Sequence, residues 1–307
     1  RRRHTRSLCD WSSDVCSSDL ALSSKRTKNA ASSFIQASKV EIKSPCDFGV
    51  IGPDIFYLDR VSLSTDQCYS CLLDDAVSIK NCVAEVTFPF TKDPKLLCNN
   101  MPEMMKRAKK QWNILSKKGD DYLRVYNDQF RDFEQRGVIV RVPKEEIKAW
   151  QKAGGIVNFI SHHAVMQPNK PSTPVRVVSN YSQFDNGSSL NNCTVAGPNQ
   201  LASLHKLLLR FRKYNEEYSY DLSKCYHTLR TGPVEKFRRL LIWRYDENDP
   251  WIVFAYVSLA FGDKAAAGLL ESVKRKIGEE ALKLKLDPYA VDALVNQSYV
   301  DDGVGGS

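Results

Sequence analysis

Two adjacent carboxylates near the end of the chain are the side chains most suited to chemistry. Asp301 and Asp302 follow Tyr299 and Val300 and precede a glycine-rich run at residues 303–306. This pattern predicts a short strand and a tight turn that carries the acids. Neighbouring carboxylates raise each other's pKa unless a cation neutralises them. Mg²⁺ is a natural partner for such oxygen ligands, although a solvated Asp-Asp-Gly turn needs no metal.

A second acid, Asp221, lies 80 residues before Asp301. Residues 217–222 read as a strand that ends at this acid. The intervening pattern of short helix, hairpin and helix predicts an antiparallel sheet backed by helices, an α+β layout that brings Asp221 beside Asp301. Carboxylates from separate strands hold the two ions, about 4 Å apart, of metal-dependent phosphoryl transfer.

The composition is that of a globular protein. The chain has 307 residues, of which 42% are hydrophobic and 26% are charged, enough for one large or two medium domains. It contains no apolar stretch of the length of a membrane span, so no membrane partner is predicted. A net charge of +8 suits a polyanionic partner, although many basic proteins bind none. The nine cysteines do not form the framework of a small disulfide scaffold, which favours a reduced, intracellular setting.

The first part of the chain carries few fold signals. Residues 1–20 resemble translated sequencing-adapter read-through and are treated as non-native. Residues 21–84 are predicted to be a linker or a poorly ordered upstream region. The chain begins without Met, and the acidic turn is predicted to lack its returning strand. We therefore expect the chain to be a fragment of a longer protein.

Two pairs of residues have side chains that can bind metals, but a role without a metal is favoured for both pairs. Cys68 and Cys71 have the spacing of a zinc pair, but Cys82 and Cys98 stand alone, so free or buried thiols are the default and a zinc-stabilised module is the alternative. His162 and His163 are neighbours on a predicted strand and must point to opposite faces, which favours a structural role.

The remaining elements follow from periodicity. Helices are predicted over residues 101–118, 120–136, 144–150, 197–211 and 264–287, and strands over residues 138–142, 159–165, 175–178, 217–222, 238–244 and 251–257. The helix opened by Gly197 is predicted to be a core helix with one apolar face, formed by Leu201, Leu204, Leu207, Leu208 and Phe211. The helix over residues 120–136 is predicted to bury one stripe, formed by Tyr122, Tyr126, Phe130 and Phe133, and to stop at Gly137. Asp287-Pro288 is predicted to end the helix that begins at residue 264. Lysines 106, 109 and 110 form either a solvated face or a phosphate-binding one.

Several segments in order resemble reverse transcriptases. Residues 299–302 are similar to their Tyr-x-Asp-Asp box and residues 220–229 to their first acidic motif. Residues 176–180 with 189–191 resemble their fingers motif. Residues 197–199, 208–212 and the run from Asn100 resemble the BEL/Pao branch of LTR retrotransposons. The resemblance covers about residues 85–307.

The resemblance implies a right-hand polymerase, with fingers in residues 85–212 and a truncated palm in residues 213–307. The thumb, ribonuclease H and integrase of the polyprotein would follow Ser307. Asp221 and Asp301 would be the principal ligands of two Mg²⁺ ions, for which Mn²⁺ could substitute. The backbone carbonyl of Leu222 would complete one shell, and Asp302 would be the lesser acid.

The resemblance also implies the substrate contacts. Tyr226 corresponds to the steric gate that excludes a ribose 2′-hydroxyl, and Arg176 to the arginine that contacts the incoming triphosphate. Phe261 and Gly262 correspond to the nucleotide-pocket turn. Contacts with template and primer are assigned to Lys106, Lys109, Lys110 and Tyr299.

The implied function is RNA-directed and DNA-directed DNA synthesis from dNTPs, in the cytoplasm within virus-like particles. Two departures from the family pattern stand out: Asn180 replaces the usual Asp, and Ala266-Ala267 replace the usual Ser-Pro. The alternative is a catalytically decayed fragment that retains only nucleic-acid binding. Without a thumb, the isolated fragment is expected to be weakly active or inactive.

Overall fold

The computed structural model describes residues 65–80, 83–167, 174–185, 187–199 and 201–306. The predictions for residues 1–64 and for Cys82 lie outside the described residues, as does the side chain of Cys68. The described part of the chain has a mixed α+β fold with small, mainly antiparallel sheets. None of its helices is long and apolar enough to cross a membrane.

The α-helices of the described residues are α1 (Thr65–Asp75), α2 (Met101–Lys118), α3 (Asp120–Gln135), α4 (Lys144–Lys152), α5 (Leu190–Cys193), α6 (Leu204–Phe211), α7 (Cys225–Thr228), α8 (Ala266–Lys283) and α9 (Pro288–Asn296). The strands are β1 (Val77–Lys80), β2 (Val83–Val86), β3 (Ile139–Arg141), β4 (Ser161–Met166), β5 (Val175–Asn180), β6 (Glu217–Asp221), β7 (Arg230–Thr231), β8 (Leu240–Trp243), β9 (Ile252–Tyr256), β10 (Ser298–Tyr299) and β11 (Asp302–Gly306).

Four small sheets organise these strands. One sheet has the order β10-β11-β6 and a second the order β3-β9-β8, and both are antiparallel. Strands β4 and β5 form an antiparallel pair, and β1-β2-β7 contains a parallel step between β2 and β7. Helices α6 and α9 pack against β11. The sheet that carries the acids is therefore backed by helices.

The largest core cluster joins α3 to the β3-β9-β8 sheet. Phe130 and Trp243 are fully buried and stack with ring centroids 5.6 Å apart. Tyr126, one turn before Phe130, lies 4.9 Å from Trp243 between ring centroids. Burial of each large apolar side chain contributes about 1.5–3 kcal/mol, so the aromatic stripe fixes α3 on the sheet. Gly137 ends this region with φ +63°, as predicted for a helix stop.

The second core cluster is built around α8, which packs against α1, β1 and α9. Leu73 from α1 is fully buried there, together with Leu269 of α8. Residues 65–80, assigned from the sequence to the linker, thus contribute a helix and a strand to the core. Their short, weakly periodic segments gave no signal because burial depends on the distant helix α8.

Three further expectations differ from the structure. The returning strand that was expected to be missing is present as β11, within the glycine-rich run. The helix expected from Gly197 begins at Leu204, where the Ser203 hydroxyl accepts the Lys206 amide. It is not a core helix: Leu207 is buried, but Leu204 is 48% exposed.

The third difference lies after α8. Asp287 does not simply end that helix: its carboxylate accepts the amide of Tyr289 and caps a further helix, α9. Pro288 occupies the first turn of α9, where its missing N–H costs nothing. The Asp-Pro pair was interpreted as a stop signal, and it is also a start signal.

Candidate active site

The site is built on the pairing of β11 with β6. In this antiparallel ladder Asp302 lies opposite Asp221, and Gly303 lies opposite Tyr220. A Cβ on Gly303 would lie 1.9 Å from the Tyr220 ring, so glycine is required for the ring to lie across the strand. The tyrosine hydroxyl donates to the Ala293 carbonyl of α9, 2.8 Å away. The glycine run therefore makes room for aromatic rings that tie the sheet to its helix.

The turn between β10 and β11 brings Asp301 next to the end of β6. The Leu222 amide donates to the Asp301 carbonyl over 2.7 Å, and the Leu222 carbonyl accepts the Cys225 amide at 3.1 Å. Val300 in the turn has φ +57°, which is unfavourable for a β-branched residue. Strain of this kind persists only where surrounding contacts impose it.

The local field around the acids is negative. Burial raises the pKa of Asp301 and the charge of Asp221 raises it further, while a backbone amide and Lys274 act in the opposite direction. Burial also raises the pKa of Asp302, with further contributions from Asp301 and Asp221. The pKa of the Cys225 thiol is raised to about 11, first by burial and then by Asp301. The thiol therefore stays protonated at neutral pH.

Three carboxyl-bearing residues lie near one end of the β6–β11 pair, and carboxylate oxygens are ligands that a hard divalent cation prefers. As the side chains stand, however, no group of three or more His, Cys, Asp or Glu among the described residues is arranged to hold a metal ion. The backbone register thus brings Asp221, Asp301 and Asp302 together, and the carboxylates must still rotate towards one point to bind an ion.

The predicted nucleotide-pocket residues are partly brought together. Tyr226 is buried, and its ring meets that of Phe261 edge to face with centroids 4.9 Å apart. Phe261 is 59% exposed and so offers an open aromatic face. Tyr226 lies in α7, which begins four residues after Asp221, so this ring of the pair is close to that acid in the chain.

The turn after Phe261 is closely supported. Gly262 has φ +94°, and a Cβ there would lie 2.7 Å from the Ser179 carbonyl oxygen of β5. The Asn191 side chain donates to the Gly262 carbonyl at 2.9 Å and accepts the Lys264 amide at 3.0 Å. In the sequence, Asn191 is only one member of the fingers-like motif of residues 189–191. In the structure, its side chain holds the Gly262 turn.

A buried ion pair, which sequence reasoning missed, lies beneath the same turn. The Asp263 carboxylate accepts the Ala265 amide at 3.1 Å and lies 3.9 Å from Arg239. Both side chains are fully buried. Burial raises the pKa of Asp263 to about 6, and Arg239 opposes this rise. Arg239 also donates to the Ser258 carbonyl at 2.8 Å and thereby joins the turn to the core.

Arg176 lies near the start of β5, whereas the Gly262 turn contacts the other end of that strand. Arg176 is half-buried opposite Val165, three residues before Ser179 and about 10 Å from it along the strand. Asn180 at the end of β5 accepts the Ser182 amide through its side-chain oxygen at 3.0 Å. An Asp would make the same bond, so the replacement retains the local turn.

The predicted nucleic-acid contacts lie elsewhere. Lys106, Lys109 and Lys110 are exposed on α2 and share one open face of that helix with Asn113, Ile114 and Lys117. Helix α2 packs against α3, β4 and β8 rather than against the sheet of the acids. Tyr299 is 36% exposed and lies opposite Asp302 in the β10–β11 pair.

The alternative metal sites receive no support within the described residues. Cys71 and Cys98 form no disulfide there, and neither belongs to a cluster of described side chains that could hold a metal ion. His162 is buried and His163 is exposed, which confirms the opposite faces predicted from the strand.

No known protein family matches the sequence, and no curated protein matches it significantly. Among solved structures, the chain is similar to a foamy viral protease-reverse transcriptase in complex with double-stranded DNA, with a TM-score of 0.38 and 14% sequence identity. The match covers 57% of this chain and 24% of the viral chain. The matched region thus spans about a quarter of that protein.

Proposed function

We propose that this chain contains the fingers and palm of a reverse transcriptase from a BEL/Pao-type LTR retrotransposon polyprotein. The observation that carries the proposal is the register of β11 on β6, which sets Asp302 opposite Asp221 and bonds Asp301 to Leu222. Acids 80 residues apart in the chain thereby share one end of a sheet. The fingers would comprise residues 85–212 and the palm residues 213–307.

In the proposed reaction, a primer 3′-hydroxyl attacks the α-phosphate of a dNTP and pyrophosphate leaves. Asp221 and Asp301 would hold two Mg²⁺ ions, with the Leu222 carbonyl as an additional ligand and Asp302 in a supporting role. Bound Mg²⁺, or Mn²⁺ in its place, would neutralise the charge that develops on the phosphate oxygens.

The aromatic pair of Tyr226 and Phe261 would select the nucleotide. The buried Tyr226 ring, held edge to face by Phe261, would occupy the space of a ribose 2′-hydroxyl. The Gly262 turn would let the backbone approach the substrate, and Arg176 would donate its planar fork to the triphosphate. The substrate would therefore be a deoxynucleotide.

The polyanionic partners would be an RNA or DNA template and its primer. The lysines of α2 would contact template phosphates and Tyr299 the primer end. The thumb, ribonuclease H and integrase of the same polyprotein would be further partners, and the protein would act in the cytoplasm within virus-like particles.

Primer extension on an RNA template tests the proposal. The chain, alone and extended by the sequence that follows it in its gene, is incubated with primer–template, dNTPs and Mg²⁺ at low salt. Asp221→Asn and Asp301→Asn are the matched variants. We expect extension that needs Mg²⁺ and falls about 10³-fold or more in either variant, since removal of a metal ligand takes away several kcal/mol of transition-state stabilisation.

The second candidate function is nucleic-acid binding without catalysis. It is favoured by the exposed lysine face of α2, which does not depend on the arrangement of the acids. Binding that falls with salt is expected for both functions. A folded protein that binds primer–template but adds no nucleotide, with either Mg²⁺ or Mn²⁺, would support this candidate against the polymerase.

A further inference from the structure

A buried lysine lies directly behind the acidic turn. Lys274 on α8 is 2% exposed, although lysine is among the residues least often buried. Its ammonium donates to the Ser298 hydroxyl at 2.8 Å and to the Val300 carbonyl at 3.1 Å. It also forms an ion pair of 2.6 Å with Glu271, one helical turn earlier. The sequence placed a charged residue four positions after the buried Leu270, and this was the signal that it faces inward.

The turn is held by one hydrogen bond on each side. Lys274 binds the carbonyl of Val300, and the Leu222 amide binds the carbonyl of Asp301, the next residue. Val300 has φ +57°, a strained conformation for a β-branched residue. The two bonds oppose relaxation of this strained residue, and they fix the position of Asp301 relative to β6.

Stability alone does not account for the pair of charges. A buried ion pair is often no more stabilising than apolar side chains of the same volume, because two charges must be desolvated. Glu271 and Lys274 lie on the same helix, so their mutual attraction joins no separate elements. The contacts that do join separate elements are those from Lys274 to Ser298 and Val300.

We propose that Lys274 is a positioning residue for the acidic turn: its ammonium holds the Val300 carbonyl and thereby keeps Asp301 bonded to Leu222 and beside Asp221. Its role in catalysis rests on the proposed polymerase function, whereas its effect on the turn does not. Ser298 assists in this role. Its hydroxyl oxygen accepts a hydrogen bond from the Lys274 ammonium, and the same hydroxyl donates to the Leu294 carbonyl at 2.6 Å.

Amide hydrogen exchange tests the positioning itself. Lys274→Met with Glu271→Gln removes both charges together and leaves no buried unpaired ion. The unaltered protein is the control, because Glu271→Gln alone would leave the buried Lys274 ammonium without its ion-pair partner. We expect exchange of the Leu222 amide to accelerate at least 10-fold in the double variant relative to the control. The Ile160 amide, which donates to the Leu240 carbonyl at 2.7 Å, reports any global loss of stability.

Equal acceleration at Leu222 and Ile160, or none at Leu222, would overturn the proposal. If the double variant does not fold, Lys274→Arg serves instead. Its larger head group would displace the same turn, and unchanged exchange at Leu222 would again count against the positioning role.

Adding Val300→Gly provides a rescue. Glycine adopts positive φ without the steric cost of valine, so the turn should hold its shape without the lysine. We expect kcat for primer extension to fall about 10-fold or more in the double variant at unchanged primer–template affinity, and to recover partly in the triple variant. Failure to recover would contradict relief of strain as the mechanism. If the unaltered protein extends no primer, the proposed function fails and the exchange result alone decides the role of Lys274.

Discussion

Asp302 lies directly opposite Asp221 in the antiparallel pairing of β11 with β6. The two carboxylates therefore meet at one end of the sheet although they are far apart in the chain. Their repulsion is not balanced by any ion pair to a Lys or Arg among the residues that the structure describes. A fold that tolerates such repulsion gains from a cation at this position.

Replacement of Asp301 by Asn should stabilise the metal-free protein. The pKa of Asp301 is raised in the folded state, so this group favours folding at acid pH and loses that contribution as pH rises through the folded pKa. At pH 7 the charged Asp301 carboxylate is partly desolvated and repelled by Asp221, and the neutral Asn side chain avoids both costs. We expect Tm to rise by about 1–3 °C, since about 1 kcal/mol corresponds to roughly 2–4 °C in a domain of 150–250 residues and partial exposure weakens the repulsion.

Thermal unfolding with chelator and with millimolar Mg²⁺ checks this expectation. The unaltered protein should gain stability with Mg²⁺, and Asp301→Asn should not. Asp249→Asn, at an exposed acid in the β8–β9 hairpin, is the control and should respond to Mg²⁺ as the unaltered protein does. A Tm that falls on Asp301→Asn would contradict the repulsion.

Tyr226→Ala should admit ribonucleotides. Removal of the buried ring opens the space beside Phe261 that a 2′-hydroxyl would enter. We expect discrimination, the ratio of kcat/KM for dNTP to that for rNTP, to fall about 10-fold or more, which corresponds to about 1.4 kcal/mol or more. Tyr226→Phe keeps the ring and should keep the discrimination. Equal discrimination by Tyr226→Ala would remove this residue from nucleotide selection.

Gly262→Ala should destabilise the turn after Phe261. The residue has φ +94°, and its new Cβ would lie 2.7 Å from the Ser179 carbonyl oxygen. Gly154→Ala is the matched control, because Gly154 has φ +81° but nothing within 4 Å of a Cβ. We expect both variants to lose about 1 kcal/mol or more from backbone strain and Gly262→Ala to lose more. Denaturant unfolding measures both, and equal losses would show that the close approach to Ser179 is harmless.

His162 should contribute to acid unfolding. Its Nε2 donates to the Ile242 carbonyl at 2.9 Å, so its Nδ1 accepts the Tyr126 hydroxyl at 2.7 Å and the ring is neutral. Burial lowers its pKa from 6.5 to about 4. The stability that it contributes is present above pH 6.5 and is lost as pH falls towards 4, by about 3 kcal/mol at most.

Unfolding free energies between pH 7 and pH 4 measure this contribution. His162→Phe should be less stable at pH 7, because two polar partners lose their hydrogen bond, but its stability should fall less steeply with acid. His163→Phe, at the exposed neighbour, should leave the slope nearly unchanged. The same steep slope in His162→Phe would assign the acid sensitivity to another group.

The lysines of α2 should govern nucleic-acid affinity. Changing Lys106, Lys109 and Lys110 together to Ala should weaken binding to all sequences alike and reduce the slope of log K against log salt by about 2–3, roughly 0.7–0.9 for each phosphate that is no longer neutralised. The matched control changes the exposed lysines of α4, Lys144, Lys148 and Lys152. Fluorescence anisotropy over a salt series measures the nucleic-acid affinity of the two triple variants. Equal losses of affinity in both would indicate only a general dependence on net charge.

Local patterns in the sequence were sufficient to predict the long helices and the burial of some side chains. The aromatic stripe predicted the buried face of α3 at Tyr126 and Phe130, because a period of 3.6 residues sets one face of a helix against the core. It was wrong at Tyr122, which is 38% exposed in the first turn of the helix. The alternation of a strand likewise separated buried His162 from exposed His163. Adjacent acids before a glycine run predicted a turn that carries Asp301.

Tertiary contacts decided what these patterns left open. Strand β11 lies in a run of glycines with little side-chain pattern of its own, and it forms because Tyr220 covers Gly303 from the neighbouring strand. Helix α6 exposes Leu204 although its periodicity predicts a core helix, because periodicity defines a face but not what covers it. Burial of Lys274 likewise depends on the Ser298 and Val300 atoms that receive its hydrogen bonds.

The sequence by itself determined which residues could do chemistry and which elements carry them, since those depend on residue type and on spacing along one segment. The tertiary structure decided the register that sets Asp302 against Asp221 and the lysine that supports their turn. Register and burial arise from contacts between segments far apart in the chain, and no local period encodes such contacts.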